Sequence, residues 1–386
     1  MSLFDVRTTR SSEHRRRMMH VGYATGFQHQ SGPGLNDATF IQDDLRMAID
    51  AEDLGFESIW VTEHHFSDYS ISPSPLQTLT YLAGQTKRVK LGTQVIVLPW
   101  NDPVRVAEQA LWLDNITNGR LLLGFGRGLG KMEYEGMRVD INQTRQLYKE
   151  YAELVINALE TGVIEGGEIT QQPRRELRPR PYKSFQGRIF GSAGSPESVK
   201  TVAELGIGIL IINPEPRANL GVDFDTYNQV WAEKQGARKA PQPLLSGTIF
   251  VDESSERAKR MSAEYHRGSF HAAVKNYGMA EEDFGTSKGN EFYKNMRIAP
   301  EKIDEMADKM GTVMPAGNPT EILEILDRIR GECNLQGFFP HFHFGQMPRE
   351  EAQRNMRLFA DTCLKEVQSW SCESTLDGES LQLEAA

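Results

Sequence analysis

Strands that alternate with helices along almost the whole chain predict an α/β fold, an eight-stranded parallel (β/α)8 TIM barrel with insertions. Three observations carry that prediction. Eight short apolar runs are each followed by a segment of helical periodicity. The 386 residues leave a surplus over the ~250 of a bare barrel. That surplus collects in a few polar, glycine- or proline-containing stretches. A doubly wound open sheet is the alternative that the same units can build.

In chain order, the runs read as strands are His20–Gly26, Phe56–Glu63, Val89–Leu98, Arg120–Gly126, Arg188–Ala193, Ile207–Asn213, Leu244–Val251 and Leu335–His343. The helical segments that follow them are Asp37–Leu54, Pro75–Thr86, Val104–Asn118, Thr144–Glu160, Pro196–Leu205, Asp223–Gln235, Ser255–Tyr277 and Pro348–Glu366. Right-handed βαβ connections then require a parallel sheet. We expect a flexible leader over 1–18, one barrel domain over 19–370 and a disordered tail over 371–386. Insertions are expected at about 162–187, as an irregular or hairpin connection with a basic string at Arg174–Arg180, and at 278–317. An extra helix, Thr320–Gly331, precedes the last strand.

Composition narrows the function. A net charge of −10 argues against nucleic acid or an anionic membrane surface as partner. No apolar run approaches the ~20 residues of a membrane span, and Met1–Met18 lacks the apolar core of a secretory signal. Three scattered cysteines, Cys333, Cys363 and Cys372, fit reduced thiols and a cytoplasmic location.

The string Trp60-Val61-Thr62-Glu63-His64-His65-Phe66 ends the second strand at the rim where a barrel places its chemistry. His64 can hydrogen-bond or shuttle a proton near neutral pH, and adjacent His65 points the other way. A strand-capping histidine is the plain structural alternative. Glu63, His64 and His65 with His341 and His343 lack the i, i+4 spacing of helical metal ligands, so no metal site is expected. Gly124-Phe125-Gly126-Arg127-Gly128-Leu129 fails the G-x-G-x-x-G dinucleotide spacing at Leu129. It reads better as a strand-end loop that allows close backbone approach to a ligand. In Gly194-Ser195-Pro196-Glu197-Ser198, Ser195 is an N-cap and Pro196 opens a helix, whose free N–H groups can hold an anion. Trp100, Phe125, Tyr134, Phe338 and Phe342 are core candidates that can also line a pocket, with Tyr69 and Met132 behind them.

These strings, with Leu91-Gly92-Thr93-Gln94-Val95-Ile96-Val97-Leu98-Pro99, Asp102–Glu108 and Leu113–Arg120, resemble the luciferase-like flavin-dependent monooxygenases. The resemblance is densest over Phe56–Asp140 and continues weakly to the last helix. It implies a barrel that binds reduced FMN supplied by a separate NAD(P)H-dependent flavin reductase. O2 then gives a C4a-peroxyflavin that oxygenates a small apolar organic substrate. His64 aligns with the family's catalytic histidine. Glu63 and Arg127 are expected to orient the flavin, with Gly126 beside it. Gly194, Ser195 and Ser198 would hold its phosphate. Gln94-Val95 aligns with a non-prolyl cis peptide. Luciferase itself has a cysteine where this chain has Gly126, so a different substrate is expected. A homodimer is the expected assembly. The resemblance also implies that 278–300 is a lid, poorly ordered without flavin. An F420-dependent hydride-transfer enzyme and a non-catalytic flavin-binding subunit are the alternatives.

Overall fold

Eight parallel strands close into a ring in a computed structural model that describes residues 17–28, 36–212 and 223–376. They are β1 (Tyr23–Thr25, preceded by His20–Val21), β2 (Ser58–Val61), β3 (Lys90–Thr93), β4 (Leu121–Gly126), β5 (Ile189–Ser192), β6 (Gly208–Ile212), β7 (Leu244–Thr248) and β8 (Gly337–His341). Each pairs with the next and β8 pairs with β1, so the sheet is a closed barrel rather than an open one. In register, Tyr23 lies beside Ile59, Ile59 beside Leu91 and Leu91 beside Leu121. All eight strands fall inside the runs expected from sequence, with shorter ends. Asn213 lies outside the described residues.

Both faces of the barrel wall are buried, which is why its strands read as unbroken apolar runs. Inward-facing Ala24, Trp60, Leu122, Phe190, Leu210 and Phe339 fill the centre. Their neighbours Ile59, Leu91, Leu123, Ile209 and Phe338 face the surrounding helices. Burying each large side chain stabilises the fold by ~1.5–3 kcal/mol. The largest, Trp60, stacks on Phe339 with ring centroids 4.2 Å apart. Gly92 on the adjacent strand makes that possible, because a Cβ there would lie 2.3 Å from the indole.

The helices are α1 (Asp37–Leu54), α2 (Pro75–Gln85), α3 (Pro103–Ile116), α4 (Lys131–Met137), α5 (Thr144–Thr161), α6 (Pro196–Glu204), α7 (Phe224–Gln235), α8 (Ser255–Tyr277), α9 (Ile303–Val313), α10 (Pro319–Cys333) and α11 (Arg349–Phe359). The last expected helix continues past α11 as a π turn, Ala360–Leu364, and a short helix, Lys365–Ser369. Proline at the first helical position of α2, α3, α6 and α10 marks their starts. No helix among the described residues is long and apolar enough to cross a membrane.

Polar groups lock the end of the barrel where the strands begin. Arg188 and Asp114 form a buried two-pronged ion pair at 2.7 and 3.1 Å, and Arg188 also donates to the Leu121, Lys183 and Ser184 carbonyls. The Glu52 carboxylate, at the end of α1, accepts the backbone N–H groups of Lys87, Arg88 and Val89 at up to 3.1 Å. Arg120 donates to the Ala83, Thr86 and Val89 carbonyls.

The insertions differ in build. Residues 162–187 contain an antiparallel hairpin, Val163–Gly166 with Gln172–Glu176. Residues 278–317 contain α9, which sequence reading missed inside a polar stretch. Two boundaries are corrected. Ser371–Cys372 pairs antiparallel with Arg17–Met18, and Leu376 is buried, so the chain is folded beyond the expected start of the tail. Residues 1–16 and 377–386 lie outside the described residues.

Candidate active site

The chain leaves β2 at Val61 and turns so that His64 and His65 face different partners. His64 Nδ1 lies 2.9 Å from Glu133 Oε1. His65 instead sets Nε2 3.3 Å from Glu63 and packs its ring on Trp100. Glu133 sits on the single inward turn of α4 and is buried. It also accepts the His65 backbone N–H at 2.9 Å, and Asn276 Nδ2 at 3.4 Å. A carboxylate that only accepts fixes the proton on His64 Nδ1 and leaves Nε2 free for a ligand. Tyr69 and Tyr277 wall the ring edge-on, 4.8 and 6.2 Å away. Burial pushes both phenols above their ordinary pKa, so they act as neutral hydroxyls.

The Gln94–Val95 peptide is cis. Gly126 packs against the Val95 side chain, since a Cβ there would lie 2.2 Å from Val95 Cγ2. The carboxylate of Glu63 does not reach toward the mouth unengaged. It accepts Val97 N–H at 2.7 Å and Asn101 Nδ2 at 2.9 Å, and so ties down the turn that follows this peptide.

On the opposite side, Arg127 follows β4 directly. It donates to Thr144 Oγ1 at 3.2 Å and Asn290 Oδ1 at 2.6 Å. Arg145, on the first turn of α5, donates to the Gly289 carbonyl at 2.9 Å. Burial first, and Arg127 second, push the Arg145 pKa down, the mark of two cations held close. The residues they bond are neutral; Glu197 and Glu291 supply the opposite charge felt by Arg145. Glu197 belongs to the first turn of α6. There Ser195 Oγ accepts Ser198 N–H at 3.3 Å, and the two hydroxyls lie 2.8 Å apart. Gly194 has only Tyr293 Oη near the place of a Cβ, at 3.3 Å. The buried Tyr148 hydroxyl has no hydrogen-bond partner among the described residues.

The site residues expected from sequence therefore form two groups at one end of the barrel. His64 stands in a histidine–carboxylate group, with Glu63 immediately before it in the chain. Gly194, Ser195 and Ser198 stand at the α6 N-terminus, and Arg127 lies close to Arg145, which feels the charge of Glu197 in the first turn of that helix. Gln94 and Val95 directly follow β3, and Gly126 ends β4. Sequence reading missed Glu133, Arg145 and Tyr148. Only the positive charge of Arg145, two residues after the cap position of α5, offered a signal. The stretch after Gly278 is docked: Gly289 and Asn290 sit on the two arginines, and Phe284, Asn290 and Ile298 are buried.

A donor-rich helix start beside paired guanidiniums suits a phosphate, and the unpaired Tyr148 hydroxyl is a further donor for it. The family described as luciferase-like monooxygenase matches residues 19–331. The alkanal monooxygenase alpha chain of Photorhabdus luminescens is 26% identical over 285 residues, 72% of this chain and 78% of that one. The oxygenase component of a flavin-dependent trigonelline monooxygenase from Acinetobacter baylyi is 31% identical over 211 residues, 53% and 58% of the two chains. Among solved structures, the oxygenating constituent of 3,6-diketocamphane monooxygenase of Pseudomonas putida, in complex with FMN, superposes with a TM-score of 0.67 at 17% identity, over 89% of this chain and 98% of that one. An F420-dependent secondary alcohol dehydrogenase reaches 0.67 at 15% identity, over 90% and 98%. The shared fold thus serves flavin-type cofactors of both kinds.

Proposed function

From the premise that this chain belongs to the luciferase-like monooxygenases, we propose that it is the FMN-dependent oxygenase of a two-component system. A separate NAD(P)H-dependent flavin reductase would supply the reduced cofactor. The co-substrates would be O2 and a small, largely apolar organic molecule. The observation that carries this reading is the phosphate cradle: Arg127 and Arg145 beside the hydroxyls of Ser195 and Ser198, with Tyr148 Oη unpaired nearby. Hydrogen bonds to a charged oxygen are worth ~1.5–3 kcal/mol each.

Reduced FMN, when bound, supplies the electrons that activate O2. The chain's own residues do the rest. The α6 N-terminus and the two arginines anchor the phosphate end, which fixes where the ring can lie. The cis peptide and Gly126 bring backbone close to it. Glu63 holds the Val97–Asn101 turn behind that backbone. His64, held at Nδ1 by Glu133, presents Nε2 to accept or return a proton. Tyr69 and Tyr277 shield that nitrogen from water.

No disulfide joins Cys333, Cys363 or Cys372 among the described residues, which suits the cytoplasmic location we propose. A homodimer would use the outer faces of α2 and α3, which expose Tyr81, Trp112 and Ile116. Sedimentation should then show a dimer that Trp112→Glu splits.

The deciding experiment couples the protein to a flavin reductase under 18O2 and screens apolar ketones, aldehydes and aromatics for label. Incorporation of one labelled oxygen is expected. Anaerobic titration should show reduced FMN binding far more tightly than riboflavin. Ser195→Ala with Ser198→Ala should weaken FMN alone. Equal loss for both ligands removes these hydroxyls from the phosphate, and tight F420 binding without O2 consumption overturns the monooxygenase reading.

A further inference from the structure

The apolar fill of the barrel stops abruptly toward the mouth. Two residues beyond Leu244 on the same face of β7 stands Ser246, and two beyond Phe339 on β8 stands His341. Gln94 joins them from the end of β3. Its Nε2 lies 2.9 Å from His341 Nε2, which is 3.1 Å from Ser246 Oγ. Gln94 and Ser246 are 3% and 1% exposed, so water does not serve them freely.

The hydrogen bonds of this group do not close. Gln94 Oε1 has no partner among the described residues. With the Gln94 amide donating to His341 Nε2, the ring proton sits on Nδ1, and no described residue accepts it. Turning the amide over exchanges the roles: the ring then donates through Nε2, and the amide NH2 and a bare Nδ1 are left. Either way the group presents at least one spare donor and one spare acceptor. It carries no charge, because burial pushes the His341 pKa down to about 4. The nearest carboxylate, Asp44, is engaged by His343 and Thr25. A buried group left unpaired costs ~1–3 kcal/mol, so this arrangement favours a ligand that completes it.

We propose that Gln94, His341 and Ser246 form the seat for a neutral donor–acceptor group on the organic substrate: a lactam, carboxamide or alcohol. This rests on the flavin monooxygenase reading and sharpens its substrate, from apolar to apolar with one such polar head. The seat selects against carboxylates and ammonium groups, for which it has no counter-charge. The cis backbone of Gln94–Val95 remains with the cofactor; the Gln94 side chain serves the substrate.

The test uses the FMN-loaded protein and two probes of similar shape, benzamide and toluene, with binding read by saturation-transfer NMR and FMN affinity by absorbance titration. The wild type should prefer benzamide by about tenfold or more. Gln94→Met and His341→Phe should each erase most of that preference, and His341→Phe should change FMN affinity by less than about threefold. Circular dichroism confirms that each variant is folded, and either variant suffices. No preference in the wild type, or an undiminished one in a folded variant, overturns the proposal. So does a loss of FMN affinity as large as the loss of benzamide, since the seat then belongs to the cofactor. Failure of the wild type to bind FMN at all is read separately in the titration, and it removes the cofactor reading together with the seat built on it.

Discussion

The two ends of the barrel treat polar groups in opposite ways. Where the strands begin, Arg188 is bound by Asp114 and four carbonyls, Glu52 by three N–H groups and Arg120 by three carbonyls. Where the strands end, Gln94 Oε1 and Tyr148 Oη are buried without partners, and two arginines share one corner. At the first end these side chains have their hydrogen bonds made among the described residues, which leaves them none to offer a ligand. The second end has bonds left to offer one. This is the division of labour expected of such barrels, with stability at one rim and chemistry at the other.

Substitutions can break this comparison. The largest effect is expected for His64→Ala: coupled product formation should fall ~10²–10⁴-fold while FMN still binds. Product chromatography beside an FMN titration checks it; unchanged turnover would return His64 to a structural role. At the other rim, Arg188→Met leaves Asp114 buried without its partner and should cost ~3–5 kcal/mol of stability. Chemical denaturation measures that, and FMN affinity of the folded fraction should not move. A small stability change here would mean that the starting rim does not hold the barrel closed. Tyr148→Phe is the mirror case. It removes a hydroxyl that is unpaired without ligand, so stability should hold or rise, while FMN weakens by about tenfold and riboflavin does not.

The smallest effect sharpens the contrast, for not every group at the mouth is unsatisfied. His343 lies between Asp44 Oδ1 and the Met347 carbonyl, both acceptors, so both ring nitrogens carry protons. Burial pushes its pKa down, but the Asp44 charge and hydrogen bonds outweigh it, and the net shift is upward. Its contribution to stability is therefore full below the unfolded pKa of ~6.5 and is lost as pH rises through the folded value. Thermal melts from pH 6 to 9 should show a decline that His343→Gln flattens. An identical slope in the variant would assign the decline to another group.

Much of the fold was legible in the sequence, and less of the site. Strands such as Leu121–Gly126 announce themselves because both faces are buried, and α6 because Ser195 and Pro196 mark its start. α4 was missed since its seven residues span barely two turns, too short for a periodic pattern. Glu133 went with it. Nothing local distinguishes it from a solvated carboxylate, and its partner His64 is 69 positions away. α9 was missed for a related reason: its charged face dominates a stretch already rich in polar residues. The cis peptide at Gln94–Val95 was expected only through family resemblance, because no residue type there requires it. Distances between remote residues are made by closure of the ring, and a linear pattern carries no trace of them.

The completed rim has a consequence for ancestry. Arg188, Asp114, Glu52 and Arg120 hold the strands without help from any mouth residue described here. A lineage can therefore exchange Gln94, Tyr148 or His341 one at a time, and each successive protein still folds while its choice of ligand drifts. Divergence in such a barrel is expected to run fastest at the very end where the chemistry is done, with each new substrate tried on an old and undisturbed foundation.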